Sequence, residues 1–402
     1  MSRMVLAAAA SALAASAALA PAFAGDVPAV YPGLDVGYFK TVVLPAAKPG
    51  AVVTVYADDA RFQRLFAETV VPRLAKSHGF QVRFVVKPAD VILSEIANAR
   101  AAGEPSPADL VLVGERTTRR LMDASLVTPF DLRAVLPNGR DLDPRVATVA
   151  DGAYTGGVAI PFHVARQVVA YDSRSVSAED LSDLARLANY ASVNPGRFGY
   201  AGWTGASASF VETAAVGLAS PACRSRLYDT EIGSAAAGFA KGDCGQSVAA
   251  YFKGLRLHAT VARTPAELLL KLSNGSLKVA VTVDSDVAEA ALRGAMPASV
   301  KVATVPGQVF ETVGVMVPKG VKDFAPALVV ADDLMSATVQ KTKLERFGSA
   351  SARLSVKAPP AIAAWFAQPV SEDASARARP VSEVADALAA RVFGPASDLA
   401  SR

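Results

Sequence analysis

The sequence predicts an α/β protein of two lobes joined by a hinge that the chain crosses twice in extended form. Three observations predict it. Short β-branched runs alternate with blocks whose apolar residues recur at helical spacing, the pattern of strands covered by helices. Two long extended runs, at 156–174 and 300–320, each break at a proline. The chain of 402 residues is also longer than one hydrophobic core usually supports.

Residues 1–24 open with Arg3, continue through "MVLAAAASALAASAALA" and finish with "AFA", small residues at the positions a signal peptidase reads. A secretory leader cleaved after Ala24 is therefore expected, and with it a mature protein that begins near Gly25 and is soluble outside the cytoplasm. A permanent anchor needs about 20 apolar residues and no cleavage site. The leader carries only Arg3, so removing it leaves 40 basic against 37 acidic side chains from the original 41 and 37. That small excess is spread thinly, with no basic run or basic aromatic stripe, so nucleic acid is not an expected partner.

"VVTVYA" (52–57) reads as the first strand and "RFQRLFAETVVPRLAKSHG" (61–79) as the helix behind it. "FQVRFVV" (80–86), "ADVILSEIANARAAG" (89–103) and "ADLVLVG" (108–114) continue as strand, helix and strand. This βαβαβ order is the unit of a parallel sheet, in which ligands gather beyond the carboxyl ends of the strands. Asp58 and Asp59 stand at the first such end, and Glu115, Arg116 and Thr117 at the third. Each has a plainer role open to it. The Asp pair suits a helix N-cap, Asp59 the better of the two; Glu115 and Arg116 suit a surface pair, and Thr117 a cap.

"GGVAIPFHVARQVVAYDSR" (156–174) is two strand-like pieces joined at Pro161, long enough to pass from one lobe to the other. Phe162 there is a candidate to line a cleft, whereas His163 reads as a structural residue. "SAEDLSDLARLAN" (177–189) is a helix with Ser177 as N-cap and acids in its first turn. In "GRFGYAGWTGASASF" (196–210) a strand ends, a turn follows and a helix begins. Unpartnered N–H groups and the positive end of the helix dipole meet there. Gly205 allows close backbone approach, Thr204 and Ser207 offer hydroxyls, and Trp203 offers a flat face for an apolar or cationic group. Ordinary strand-to-helix punctuation, with the tryptophan covering the core, is the plain alternative.

"TPAELLLKLSNG" (264–275) is a further capped helix, and "KVAVTVDSD" (278–286) a strand running into an acidic turn at Asp284, Ser285 and Asp286. "VKVATVPGQVFETVGVMVPKG" (300–320) supplies the second extended crossing. Two crossings restrict the lobes to opening and closing. The expected division is 25–165 with 306–345 for lobe 1, and 166–305 with 346–402 for lobe 2. Cys223 and Cys244, the only cysteines, are expected to form a disulfide in an oxidising compartment, with two buried free thiols as the alternative.

Together the leader, "VTVYADD", "ADLVLVG", "VAIPFHVARQVVAYDSR", "NPGRFGYAGWTGASASF", "ETVGVMVPKG" and "DDLMSATVQKTKLERFG" resemble the periplasmic solute-binding component of an ABC importer, of the type II branch. The resemblance covers most of the chain, and order and spacing carry it. It is nearest to an uncharacterised branch with a Pro-Gly-Arg-Phe run before a Thr-Gly-Ser-like turn. The shorter linker after Tyr200, with few prolines, departs from that branch.

The resemblance implies a monomeric receptor that closes on a small solute and delivers it to an ABC permease in the inner membrane. It requires no chemistry on the solute; no cofactor and no metal-binding cluster is expected, since His and carboxylates at ligand spacing are absent. Ferric-ion receptors of similar fold present adjacent tyrosines late in the chain, and here Tyr190, Tyr200 and Tyr228 are dispersed. A secreted hydrolase or other enzyme using the cleft is the alternative. Against it, the chain has no Gly-x-Ser-x-Gly elbow, no His-Glu-x-x-His pair and no phosphate-cradling loop. Acidic turns with Trp203 suit a cationic solute; the helix mouth, with Arg61 or Arg116 opposite, suits an anion. The residues leave both open.

Overall fold

The computed structural model describes residues 34–202, 208–367 and 377–394. The lobe 1 sheet begins with β1 (Val52–Ala57), which pairs in parallel with β2 (Gln81–Val86) and β3 (Leu110–Gly114). A continuous helical run over residues 60–78 joins β1 to β2, ending in α1 (Val71–His78). Gly79 closes it at φ +70°, a left-handed C-cap that favours glycine. α2 (Ala89–Ala101) joins β2 to β3, and α3 (Glu115–Asp123) follows β3 directly.

β4 (Ile160–Asp172) is one unbroken strand of 13 residues rather than two pieces joined at Pro161. Its first half pairs with β9 (Val309–Met316), which returns antiparallel and also borders β3. Its second half pairs with β7 (Val279–Val283) and β8 (Val300–Ala303). β5 (Phe198–Ala201) and β6 (Thr260–Ala262) complete lobe 2, and β10 (Arg377–Ala378) pairs with β9. The hydrogen-bonded path therefore runs β2-β1-β3-β9-β4-β7-β5-β6, with β4 shared between lobes.

Each lobe is helix, sheet and helix. In lobe 1, one face packs Val53, Val55, Leu112 and Phe162 against the 60–78 run, α9 (Phe324–Leu334) and α10 (Ala337–Phe347). Tyr56, Val111 and Val113 pack the other face against α2 and α3. Lobe 2 buries α4 (Leu184–Val193), α5 (Ala208–Leu218), α6 (Asp243–Leu255) and α11 (Ser382–Phe393) in one core. α7 (Pro265–Ser273) and α8 (Asp284–Leu292) cover the opposite face. The second crossing and the chain end thus build both lobes from segments distant in sequence.

Several helix ends differ from expectation. α4 starts at Leu184, because Asp183 accepts the Arg186 N–H; Ser177 and Asp180 close only a single turn ahead of it. The 332–348 block is the end of α9 and all of α10, divided at Ser336, whose hydroxyl caps α10 through the Val339 N–H. Asp284, Ser285 and Asp286 form the first turn of α8 rather than an open acidic turn. The Cys223–Cys244 disulfide is present, with a Cα–Cα distance of 5.4 Å, tying α6 to the helix Pro221–Arg226.

Candidate functional site

At the carboxyl end of β1, Asp58 accepts hydrogen bonds from the Gly114 N–H (3.1 Å) and the Thr117 hydroxyl (2.8 Å). It binds the turn after β1 to the turn after β3. Burial raises its carboxyl above the ordinary range, and the Thr117 and Gly114 bonds offset part of that. Asp59 caps the following helical run through the Arg61 N–H at 2.8 Å, and its carboxylate lies 2.8 Å from the Arg61 guanidinium. Thr117, already engaged by Asp58, is buried.

Glu115, only 7 % exposed, accepts from the Thr312 N–H (2.8 Å), the Thr312 hydroxyl (3.0 Å) and the Asp151 N–H (3.3 Å). Burial pushes its pKa up to about 8, against the pull of Arg379 and of the Thr312 bond. Arg116 points outward, half exposed, and meets Asp386 of α11 at 2.6 Å. That contact joins lobe 1 to lobe 2 at the rim.

In lobe 2, Asp284 is fully buried and accepts the Arg166 N–H at 2.9 Å and the Ala367 N–H at 3.4 Å. Ser285, also buried, donates to it at 3.4 Å. Asp284 thus holds backbone at the hinge, and Ser285 supports its carboxylate. Asp286, one residue on, lies 3.6 Å from Arg61 across the lobe boundary. Burial lifts its pKa to about 6 despite the Arg61 charge.

Phe162 is turned into the lobe 1 core, 0 % exposed, edge-on to Phe62 and beneath the Lys343 ammonium. Alternation along β4 gives the opposite face to His163. There it stands between the Arg61 guanidinium (3.4 Å) and the Ser349 hydroxyl (2.6 Å). Burial, with the Lys343 and Arg61 charges, holds its pKa well below the usual histidine range, so the imidazole is neutral. Trp203, Thr204, Gly205 and Ser207 lie outside the described residues.

Three residues absent from the sequence-based set complete the centre. Arg379 meets Glu212 of α5 through two parallel bonds of 2.7 Å and Glu311 of β9 at 3.1 Å. Burial opposes its charge, but Glu212 and Glu311 outweigh burial and hold its pKa above the ordinary arginine value. Glu212 and Glu311 carried a readable signal: each is a lone charge in an apolar run, "SFVETAAVGL" and "QVFETVGV". Such a charge on a buried element needs a partner.

The centre is thus five carboxylates, Asp59, Glu115, Glu212, Asp286 and Glu311, around two guanidiniums, Arg61 and Arg379. The lobes are shut over it. The space beside Arg61, Ser285 and Ser349 is about 10 Å³, room for about one water. At the rim, Arg119 of α3 reaches Glu383 of α11 (3.0 Å) and the Thr230 carbonyl (3.1 Å). Among the described residues, no group of three or more His, Cys, Asp or Glu stands within metal-holding reach.

Residues 69–369 match the model of the family described as bacterial extracellular solute-binding protein. No curated protein matches the chain. Among solved structures, an ABC transporter from Clostridium perfringens superposes with a TM-score of 0.62 at 16 % identity, covering 85 % of this chain and 98 % of that one. A spermidine/putrescine ABC-transporter substrate-binding protein from Streptococcus pneumoniae gives 0.64 at 12 % identity, over 88 % and 99 %. Iron-bound HitA from Pseudomonas aeruginosa gives 0.57 at 19 % identity, over 87 % and 99 %.

Proposed function

Because this chain belongs to the bacterial extracellular solute-binding protein family, we propose that its interlobe cleft captures a small organic cation, an amine or guanidinium compound. Binding a small solute for an ABC importer is the function of such proteins and of this one, and its place is outside the cytoplasm. The choice of solute class is the proposal. Its main support is the charge imbalance of the cleft, five carboxylates to two guanidiniums, in a setting that excludes water. Carboxylates buried without enough counter-charge take up protons instead, as the raised pKa values of Glu115 and Asp286 indicate. A cationic guest supplies the missing charge. An anion has less to meet, since Arg61 and Arg379 already face acids.

The fold alone does not choose the solute, for it serves spermidine/putrescine in the pneumococcal protein and iron in HitA. We assign direct contact to Asp59, Glu115, Asp286 and Glu311. Asp58, Asp284, Ser285 and Thr117 hold the strand ends, and Arg116 closes the rim. Trp203, Thr204, Gly205 and Ser207, just ahead of α5, form the proposed lobe 2 wall, with Trp203 stacking on the cation. Lobe 1 is taken as 25–165 with 306–345 and lobe 2 as 166–305 with 346–402. Within the latter, residue 352 reaches back to lobe 1 through the Asp143 N–H. Cleavage after Ala24, a periplasmic monomer docking on an inner-membrane permease, and no chemistry on the solute complete the proposal.

A thermal-shift screen tests it, with spermidine, thiamine, choline and arginine set against succinate, phosphate and maltose. A cation at 100 times its dissociation constant stabilises the fold by about 2.7 kcal/mol. Stabilisation by anions or sugars alone would overturn the assignment.

A further inference from the structure

A further space in this molecule is lined by none of the residues of the acidic centre. A cavity of about 210 Å³ adjoins the hinge, lined by Arg145, Arg166, Arg353, Lys357, Asp143 and Gln308 among others. Arg166 and His163 are three residues apart on β4, so strand alternation turns them to opposite faces. The cavity shares no lining residue with the small space beside Arg61. Its charge is also opposite to that of the cleft.

Asp143 is the one acid among its lining side chains, and Arg145 already holds it with bonds of 2.9 and 2.6 Å. Arg166 has no carboxylate within 4.0 Å among the described residues, although its charge reaches Asp143 and Asp284. Arg353 bonds the Asn138 and Met335 carbonyls and lies 3.4 Å from Asp141, while its Nε is buried without a hydrogen-bond partner among the described residues. Gln308, 1 % exposed, has a side-chain oxygen that likewise lacks one. Cationic groups and orphaned polar atoms around a space of metabolite size leave an electrostatic need that an anion answers.

We propose that this cavity is a second binding site, for a small organic carboxylate. Guanidinium forks match a carboxylate in two parallel bonds. Phe310, Leu344 and Phe366 give the rest of the cavity an apolar wall, which favours a carboxylate with a hydrocarbon body over inorganic phosphate. The walls also come from both lobes. The Asp143 N–H is bonded to the Ala352 carbonyl on the lobe 1 side, whereas Ala367 is bonded to Asp284. Asp284 holds the Arg166 N–H as well, so one carboxylate ties the cavity to the strand end that carries Asp286. Opening the lobes separates those walls, and an anion bound between them favours the shut form.

Calorimetric titration of the full chain with benzoate, succinate and inorganic phosphate tests this. One saturable site for benzoate or succinate is expected. Arg166→Gln should raise its Kd roughly tenfold or more, the weight of a charge-assisted pair. Lys357→Gln, an exposed change that leaves the fold intact, should raise it severalfold. No saturable binding at millimolar concentration, binding of phosphate alone, or equal affinity in both cavity variants would overturn the proposal. None of these outcomes depends on the cleft accepting a cation.

Discussion

Arg61, behind the first strand of lobe 1, lies 3.6 Å from Asp286 in the first turn of α8 in lobe 2. The pair spans the lobe boundary, and its members are mostly shielded from solvent. Substituting Asp286 with Asn keeps the shape and removes the charge. Affinity for the cationic solute should then fall at least roughly tenfold, as for other desolvated charge contacts. Titration calorimetry on the two proteins measures it.

Solute affinity should depend on pH. Asp286 is raised to about 6 and Glu115 to about 8, and a cation prefers both ionised. Binding should strengthen as pH rises from 5 to 8 and release protons as it does so. Titrations in two buffers of different ionisation enthalpy detect that release. Affinity that falls over this range would contradict the charge assignment.

The free protein should show the opposite trend at one residue. Glu115 binds its proton more tightly in the folded chain than in the unfolded one, so its contribution is fully present below pH 4.5. That contribution is lost as pH rises toward about 8. Glu115→Gln, which carries no such proton, should flatten the decline in stability over this window. Urea denaturation at a series of pH values resolves the difference.

Much of this architecture is legible in the sequence, because β-branched blocks such as 52–57 and 108–114 are short, apolar and set between helix-spaced segments. The site was legible only at strand ends, where topology fixes position. The inward turn of Phe162 follows from alternation with Ile160 and Val164, two members of the same core; reading the aromatic by its chemistry instead pointed it at the cleft. Arg379 had no local signal. Its partners Glu212 and Glu311 are 167 and 68 residues away, and only the fold brings them together.

The rim contacts should govern release. Arg119 bonds Glu383 and the Thr230 carbonyl, both on lobe 2 elements. Arg119→Gln is expected to speed solute dissociation severalfold with little change in association, the usual division for contacts made after encounter. Stopped-flow displacement reads both rates.

The Cys223–Cys244 bridge closes a loop over a sequence separation of 21. The chain-entropy account assigns such a loop about 3 kcal/mol. Replacing both cysteines with serine should lower the denaturation midpoint accordingly. Thiol reagents should label the native protein only after reduction.

Native mass spectrometry of protein recovered from its own compartment, with the co-purifying molecule released and identified, tests the cleft most directly. One small organic cation per chain is predicted, depleted in Asp286→Asn. A neutral or anionic molecule held equally by both proteins would contradict it.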